Sequence, residues 1–142
     1  MPASGKAAEA LLDTSVAVAV AVADHDHHVA TLEELGGMRL GLAGHAAFET
    51  FSVLTRLPPP ARRTPRAVSR LLAASFPSSR FLGEGAARSL MRELSELGIA
   101  GGAVYDALVG AVAREHGMTL FSRDRRAAET YRALEVRVEL IS

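Results

Sequence analysis

Two short apolar runs near opposite ends of this chain, Ala10-Leu11-Leu12 and Met118-Thr119-Leu120-Phe121, are each followed by an aspartate, Asp13 in one case and Asp124 a serine and an arginine later in the other. Runs of this length bounded by polar residues read as buried strands. Both acids therefore stand just past the carboxyl ends of strands. Helical patterns alternate with further short apolar runs between them, which implies a parallel sheet with helices on both faces, an α/β fold. In an open sheet of that kind ligands bind at the carboxyl edge.

The element boundaries follow from local signals. A strand is expected over 9–13. In the run after it, Val16, Val18, Val20 and Val22 alternate with alanine, which favours a strand by propensity, whereas a segment straight after an acidic strand end more often turns into a helix. Asp24 or Asp26 is expected to cap a helix over Val29, Leu32 and Leu35 that stops at Gly36-Gly37, before a strand from Met38 to Leu42. Ala46 to Leu57 reads as a helix with Ala47, Phe48, Phe51, Leu54 and Thr55 on one face, ending at three prolines. Thr64-Pro65 is an N-cap and first-turn pair for the next helix. A brief strand near Arg80 to Leu82 precedes a helix with Leu90, Met91, Leu94 and Leu97, closed by Gly98. A helix from Ala103 to Glu115, a strand over 118–121, a helix over 125–134 and a strand over 136–140 complete the chain.

With 142 residues, 49% hydrophobic and 23% charged, and no internal repeat or low-complexity linker, the chain reads as a single domain over 1–142 whose residues 1–8 form a loose tail. It has no cysteine, so disulfides, thiolate zinc sites and cysteine nucleophiles are excluded together. Its longest uncharged apolar run, Val16 to Ala23, is far shorter than the ~20 residues that span a bilayer. The first ten residues lack a basic start followed by an apolar stretch, which points to a cytoplasmic protein with no membrane partner.

Four carboxylates stand beside or inside regular elements: Asp13, Glu49, Asp106 and Asp124. Acids that converge repel one another and lose hydration, a cost that a hard divalent cation such as Mg²⁺ or Mn²⁺ offsets through oxygen coordination. Net charge is zero, yet Thr50 to Gly83 contains no acid and carries Arg56, Arg62, Arg63, Arg66, Arg70 and Arg80. Arg62, Arg66 and Arg70 are four apart, a stripe on one helix face that either contacts RNA or is merely solvated. His25, His27 and His28 are too closely packed to converge on one ion and read as solvated residues at a helix start.

Leu-Leu-Asp13-Thr-Ser-Val, His45-Ala-Ala-Phe-Glu49-Thr-Phe-Ser-Val-Leu-Thr-Arg-Leu-Pro, Gly-Gly-Ala-Val-Tyr-Asp106-Ala-Leu-Val and Leu-Phe-Ser122-Arg-Asp124-Arg, in this order and spacing, resemble the PIN-domain nucleases and, within them, the VapC branch, the toxins of prokaryotic toxin-antitoxin pairs. The resemblance covers essentially the whole chain. It implies a three-layer α/β/α fold with a five-stranded parallel sheet, an acidic pocket for Mg²⁺ or Mn²⁺, and endonucleolytic cleavage of RNA restrained by a VapB-type antitoxin. It also implies homodimerisation, and a helix rather than a strand after Asp13.

On this reading Asp13, Asp106 and Asp124 hold the metal, directly or through water, and Glu49 completes the cluster and orients water. Ser122 lies two residues before Asp124 and points the same way in an extended segment, so its hydroxyl can fix Asp124 or a water; Thr14, next to Asp13, is the other supporting residue. His45, four before Glu49 on the same face, contacts substrate phosphate or caps its helix. Taken singly, Asp13 and Asp124 are also what an N-cap after a strand looks like, and Asp106 and Glu49 what a solvated helix face looks like. The alternatives are a PIN nuclease of housekeeping RNA processing without an antitoxin, or a non-catalytic metal- or nucleic-acid-binding module. A phospho-acceptor receiver is excluded because Lys6, the sole lysine, precedes the first strand, and no Gly-x-Gly-x-x-Gly supports a dinucleotide site.

Overall fold

The computed structural model describes residues 8–142, and the tail expected over 1–8 lies outside them except for Ala8. Four strands, β1 (Glu9–Leu12), β2 (Arg39–Leu42), β3 (Leu120–Ser122) and β4 (Val138–Leu140), form a wholly parallel sheet in the order β2-β1-β3-β4. Among the described residues seven helices join or follow them: α1 (Thr14–Ala21), α2 (His28–Leu35), α3 (His45–Thr55), α4 (Pro65–Ser75), α5 (Glu84–Leu97), α6 (Ala103–His116) and α7 (Arg125–Ala133).

Successive strand residues face opposite sides. Leu11 and Leu120 enter a core built with Leu90, the middle of α6, and Ala127, Tyr131 and Leu134 from α7 and its end. Ala10, Leu12 and Phe121 enter a second core with Val16 and Ala17 of α1, Leu35, Leu42, Phe76 and Ile141. The result is the expected three-layer α/β/α arrangement. The chain leaves β1 toward β2 on one side of the sheet, and β3 pairs with β1 on the other. The carboxyl ends of β1 and β3 therefore flank the point where strand order reverses, which is where such sheets open a crevice.

Among the described residues the sheet has four strands, not five. Residues 78–80 do run beside β2, with Ser78 N–H donating to Leu40 O at 3.0 Å and Arg80 N–H to Leu42 O at 3.1 Å. Only one bridge forms, Ala43 with Arg80. The Leu42 N–H, which a fifth strand would take with a backbone carbonyl, instead donates to Ser79 Oγ at 2.9 Å. The backbone comes so close here that a Cβ on Gly41 would clash with the Ser78 carbonyl.

The valine-alanine run is helical because Asp13 caps it: its side chain accepts from Val16 N–H, and Val16, Ala17 and Ala19 are buried. A local cap here overrides β-propensity, which is the weaker preference. Helix α2 begins at His28 with no side-chain cap, so neither Asp24 nor Asp26 serves, and Val29 and Leu32 are exposed while Thr31 and Leu35 are buried. On α3 the buried residues are Ala46, Thr50 and Leu54; Phe48, expected inside, is exposed, as is Met91 on α5. Thr64 and Pro65 open α4 as expected, with Thr64 Oγ1 accepting from Ala67 N–H. That start leaves Arg62 outside the helix, its Nε donating to Leu57 O at 2.8 Å, so the three-arginine helix stripe reduces to Arg66 and Arg70. Among the described residues no helix is long and apolar enough to cross a membrane.

Candidate active site

Asp13 sits between β1 and α1 as the N-cap of α1, and Asp124 between β3 and α7 as the N-cap of α7, where its Oδ1 accepts from Arg126 N–H at 2.9 Å and Ala127 N–H at 3.2 Å. Capping and site geometry are thus one arrangement. A strand end followed at once by a helix start puts an acid over the crevice, and the helix amides hold it there. Asp106 lies in the first turn of α6 and Glu49 on α3.

The four carboxylates line one cavity of about 100 Å³, together with Thr14, Ser15, Val109, Ala127 and Tyr131. Their environments differ. Asp13 is 4% exposed, whereas the Glu49 side chain is 45% exposed at the rim. Asp13 Oδ1 accepts from Ser15 Oγ at 2.5 Å and from Val16 N–H at 3.3 Å, and its Oδ2 accepts from the Tyr131 hydroxyl at 2.9 Å. Burial, and then Asp13, push the Tyr131 pKa far up, so this phenol stays protonated and donates. Burial first, then Asp124, Glu49 and Asp13, push Asp106 up to about 6, with Arg126 pulling slightly the other way.

Ser122 is fully buried, and its Oγ accepts the Asp124 backbone N–H at 3.0 Å. It thus holds the backbone of Asp124 rather than its carboxylate. Thr14 Oγ1 is buried with no hydrogen-bond partner. His45 Nε2 stands 3.7 Å from Glu49 Oε1, and its ring stacks on Tyr105 with centroids 5.1 Å apart. Among the described residues no three Asp, Glu or His side chains are gathered closely enough to hold an ion as they stand. The histidine tract forms no such group either: His28 Nδ1 pairs with Ala19 O at 2.8 Å, and His27 N–H donates to His25 Nδ1.

Three residues of this neighbourhood were not singled out from sequence. Ser15 bridges Asp13 and Arg123, whose N–H it accepts at 2.9 Å. Tyr131 lies seven residues after Asp124, two turns along the same helix, a spacing that could have signalled it. Arg126 borders a second cavity of about 430 Å³, lined by Gly102, Ala103, Asp106, Asp124 and Thr130, that shares two acids with the first. Among the described residues its guanidinium makes no hydrogen bond or ion pair. Arg66 and Arg70 are exposed on α4 and line neither cavity.

Comparison with known proteins gives a consistent answer. Ribonuclease VapC40 of Mycobacterium tuberculosis is 48% identical over 132 residues, 92% of this chain and 97% of that protein. Ribonuclease VapC27 of the same species is 42% identical over 127 residues, 89% and 93% of the two chains. Among solved structures, the DNA-bound VapBC of Salmonella typhimurium superposes with a TM-score of 0.68 at 17% identity, covering 95% of this chain and 99% of that one. Mycobacterium tuberculosis VapC20, described as a sarcin-ricin loop cleaving toxin, gives 0.64 at 18% identity over 84% and 93%. At such identities the superpositions establish the fold. The sequence pattern of the PIN domain itself matches residues 10–133, and the chain belongs to the PIN-domain family, with relatives among the VapC ribonucleases.

Proposed function

We propose that this chain is a metal-dependent endoribonuclease, the toxin of a toxin-antitoxin pair, folded as a single nuclease domain and acting in the cytoplasm. The observation that carries the reading is the convergence of Asp13, Glu49, Asp106 and Asp124 on one cavity from four separate parts of the fold. The ribonuclease names of VapC40 and VapC27 at 48% and 42% identity support the same class of chemistry.

The residues present fit a hard divalent cation, Mg²⁺ or Mn²⁺. Every donor in the cavity is an oxygen. Burial, and then repulsion from Asp124, Glu49 and Asp13, raises the Asp106 pKa, and the buried Thr14 hydroxyl lacks a partner that a bound water would supply. Asp13, Asp106 and Asp124 are the groups that would hold the ion. A divalent cation supplies, when bound, a lowered pKa for the attacking water and charge to match that building up on the scissile phosphate. Glu49, at the open rim, orients the attacking water through its carboxylate. Ser122 and Ser15 keep Asp124 and Asp13 in place through the contacts described.

Substrate enters along the Arg126 groove, where a guanidinium that makes no hydrogen bond or ion pair among the described residues meets the RNA backbone beside the acids. His45 at the rim and Arg66 and Arg70 on α4 are further candidate contacts. A VapB-type antitoxin and a second copy of the chain are the proposed protein partners. The VapBC complexes among the structural neighbours support the first, and the exposed Phe48 and Phe81, whose rings meet edge to face at 6.3 Å, offer apolar surface to either.

The test is cleavage of RNA by purified protein in Mg²⁺ or Mn²⁺ and in EDTA, with Asp106→Asn as a control for contaminating nuclease. Cuts that need the metal and vanish in the variant are expected. Equal cleavage in EDTA by wild type, absent from the variant, would overturn the metal mechanism, and equal cleavage by both proteins would overturn the enzyme.

A further inference from the structure

We propose that Tyr131 is a positioning residue that locks the Asp13 carboxylate with one lone pair left for the cation, and that Gly110 is a glycine in order to seat the tyrosine ring. The inference rests on the reading of the four acids as a cation site.

An ionised carboxylate offers about four lone-pair positions. Two protein donors, Ser15 Oγ and Val16 N–H, converge on Asp13 Oδ1, and the Tyr131 hydroxyl occupies Oδ2 at 2.9 Å. One position remains, on Oδ2. With donors on Oδ1 alone, the plane of the carboxylate could swing about that anchored oxygen. A donor on the second oxygen removes that freedom and decides where the remaining lone pair points. The phenol suits the task because Tyr131 is 1% exposed, carried on α7 with its ring packed against α6, so its hydroxyl cannot follow solvent.

Gly110 supplies an independent observation. It lies inside α6, where glycine is a weaker helix former than alanine. A Cβ at this position would stand 3.0 Å from Tyr131 Cδ1, 3.3 Å from Val136 Cγ2 and 3.6 Å from Leu134 Cδ1. The nearest atom belongs to the tyrosine ring, which would have to move away from α6. The helix therefore carries a weak helix former at the place where the ring that reaches Asp13 is seated.

A tyrosine that merely fills the core makes a different prediction from one that orients a ligand. Groups that hold a metal ligand from behind typically cost about 10–100-fold in metal affinity when removed. The experiment is titration of metal-free protein with Mn²⁺, followed by calorimetry and by the loss of the free-ion paramagnetic resonance signal. It compares wild type, Tyr131→Phe, Gly110→Ala and the double variant, with metal-free melting temperatures alongside. Tyr131→Phe keeps the ring, so it should weaken Mn²⁺ binding at least tenfold on a folded protein. Gly110→Ala keeps the hydroxyl but displaces it, so it should weaken binding too, and the double variant should bind no worse than Tyr131→Phe alone. Wild-type affinity in Tyr131→Phe would overturn the positioning role while leaving the cation site standing. Absence of Mn²⁺ binding by wild type would overturn both. A further loss in the double variant would overturn the role given to Gly110.

Discussion

The backbone N–H of Arg123 donates to Ser15 Oγ at 2.9 Å, so one side-chain hydroxyl fastens the carboxyl end of β3 to the segment that follows β1. The same hydroxyl donates onward to Asp13 Oδ1 at 2.5 Å. Ser15 is thus at once acceptor for a distant amide and donor to a buried carboxylate, and it couples the two strand ends that carry Asp13 and Asp124.

Replacing Ser15 by alanine leaves the Arg123 amide without its partner and removes a charge-assisted donor from Asp13. Stability should fall by about 1–3 kcal/mol, since an unsatisfied, partly buried group costs its desolvation. Metal-dependent cleavage should fall as well, because Asp13 loses one of its fixed contacts. Urea denaturation of Ser15→Ala beside wild type checks the first part and an RNA cleavage rate the second. An unchanged denaturation midpoint would show that Ser15 bears no load between the strands.

The acids should also leave a mark on how stability varies with pH. Burial and the neighbouring Asp124, Glu49 and Asp13 raise Asp106 from 3.8 to about 6. Across that window the native protein keeps a proton that the unfolded chain has released. Metal-free stability therefore loses this contribution as pH rises from 3.8 to about 6, and does not regain it above. Glu9 and Glu93, held low by a hydrogen bond from Ser78 and by Arg114 respectively, act in the opposite sense at lower pH. The difference between Asp106→Asn and wild type isolates the Asp106 part. The variant should gain on wild type between pH 4.5 and 7.5 in metal-free buffer, and saturating Mn²⁺ should close the gap by stabilising wild type alone. A difference independent of pH would mean that neither burial nor the neighbouring acids raise Asp106 in the native protein.

What was legible in the sequence was local. An apolar run, an acid and a capped helix lie within a few residues of one another, so the places of Asp13 and Asp124 in the fold could be read directly, and Thr64-Pro65 marked the start of α4. What was not legible depends on contacts between distant segments. Tyr131 meets Asp13 across 118 residues, and neither neighbourhood announces the pair. Beside β2 the Ser79 hydroxyl takes the Leu42 N–H that the backbone carbonyl of a fifth strand would otherwise claim. Phe48 falls on an apolar helical spacing yet faces outward beside Phe81, because periodicity shows which residues share a face and not what that face meets. The spacing of four runs the arginine stripe through Arg62, a residue that precedes the helix cap, so only Arg66 and Arg70 share the helix.

The basic groups fall into two sets with separable effects on RNA binding. Arg126 borders the cavity that shares Asp106 and Asp124, whereas Arg66 and Arg70 lie on α4, which carries none of the four acids. Each phosphate contact on a single strand contributes a slope of about −0.7 to log affinity against log salt. Arg126→Ala should therefore flatten the plot by about 0.7, the pair Arg66→Ala with Arg70→Ala by about 1.4, and all three together by about 2.1 if the contacts are independent. Cleavage position should be insensitive to the α4 pair, since phosphate contacts carry no base information. RNA binding by the Asp13→Asn protein in Ca²⁺ over a salt series measures all three slopes without turnover. An unaltered slope for the α4 pair makes that helix a solvated or protein-binding face and leaves the Arg126 groove as the RNA path. An unaltered slope for Arg126→Ala removes the groove from the substrate path altogether.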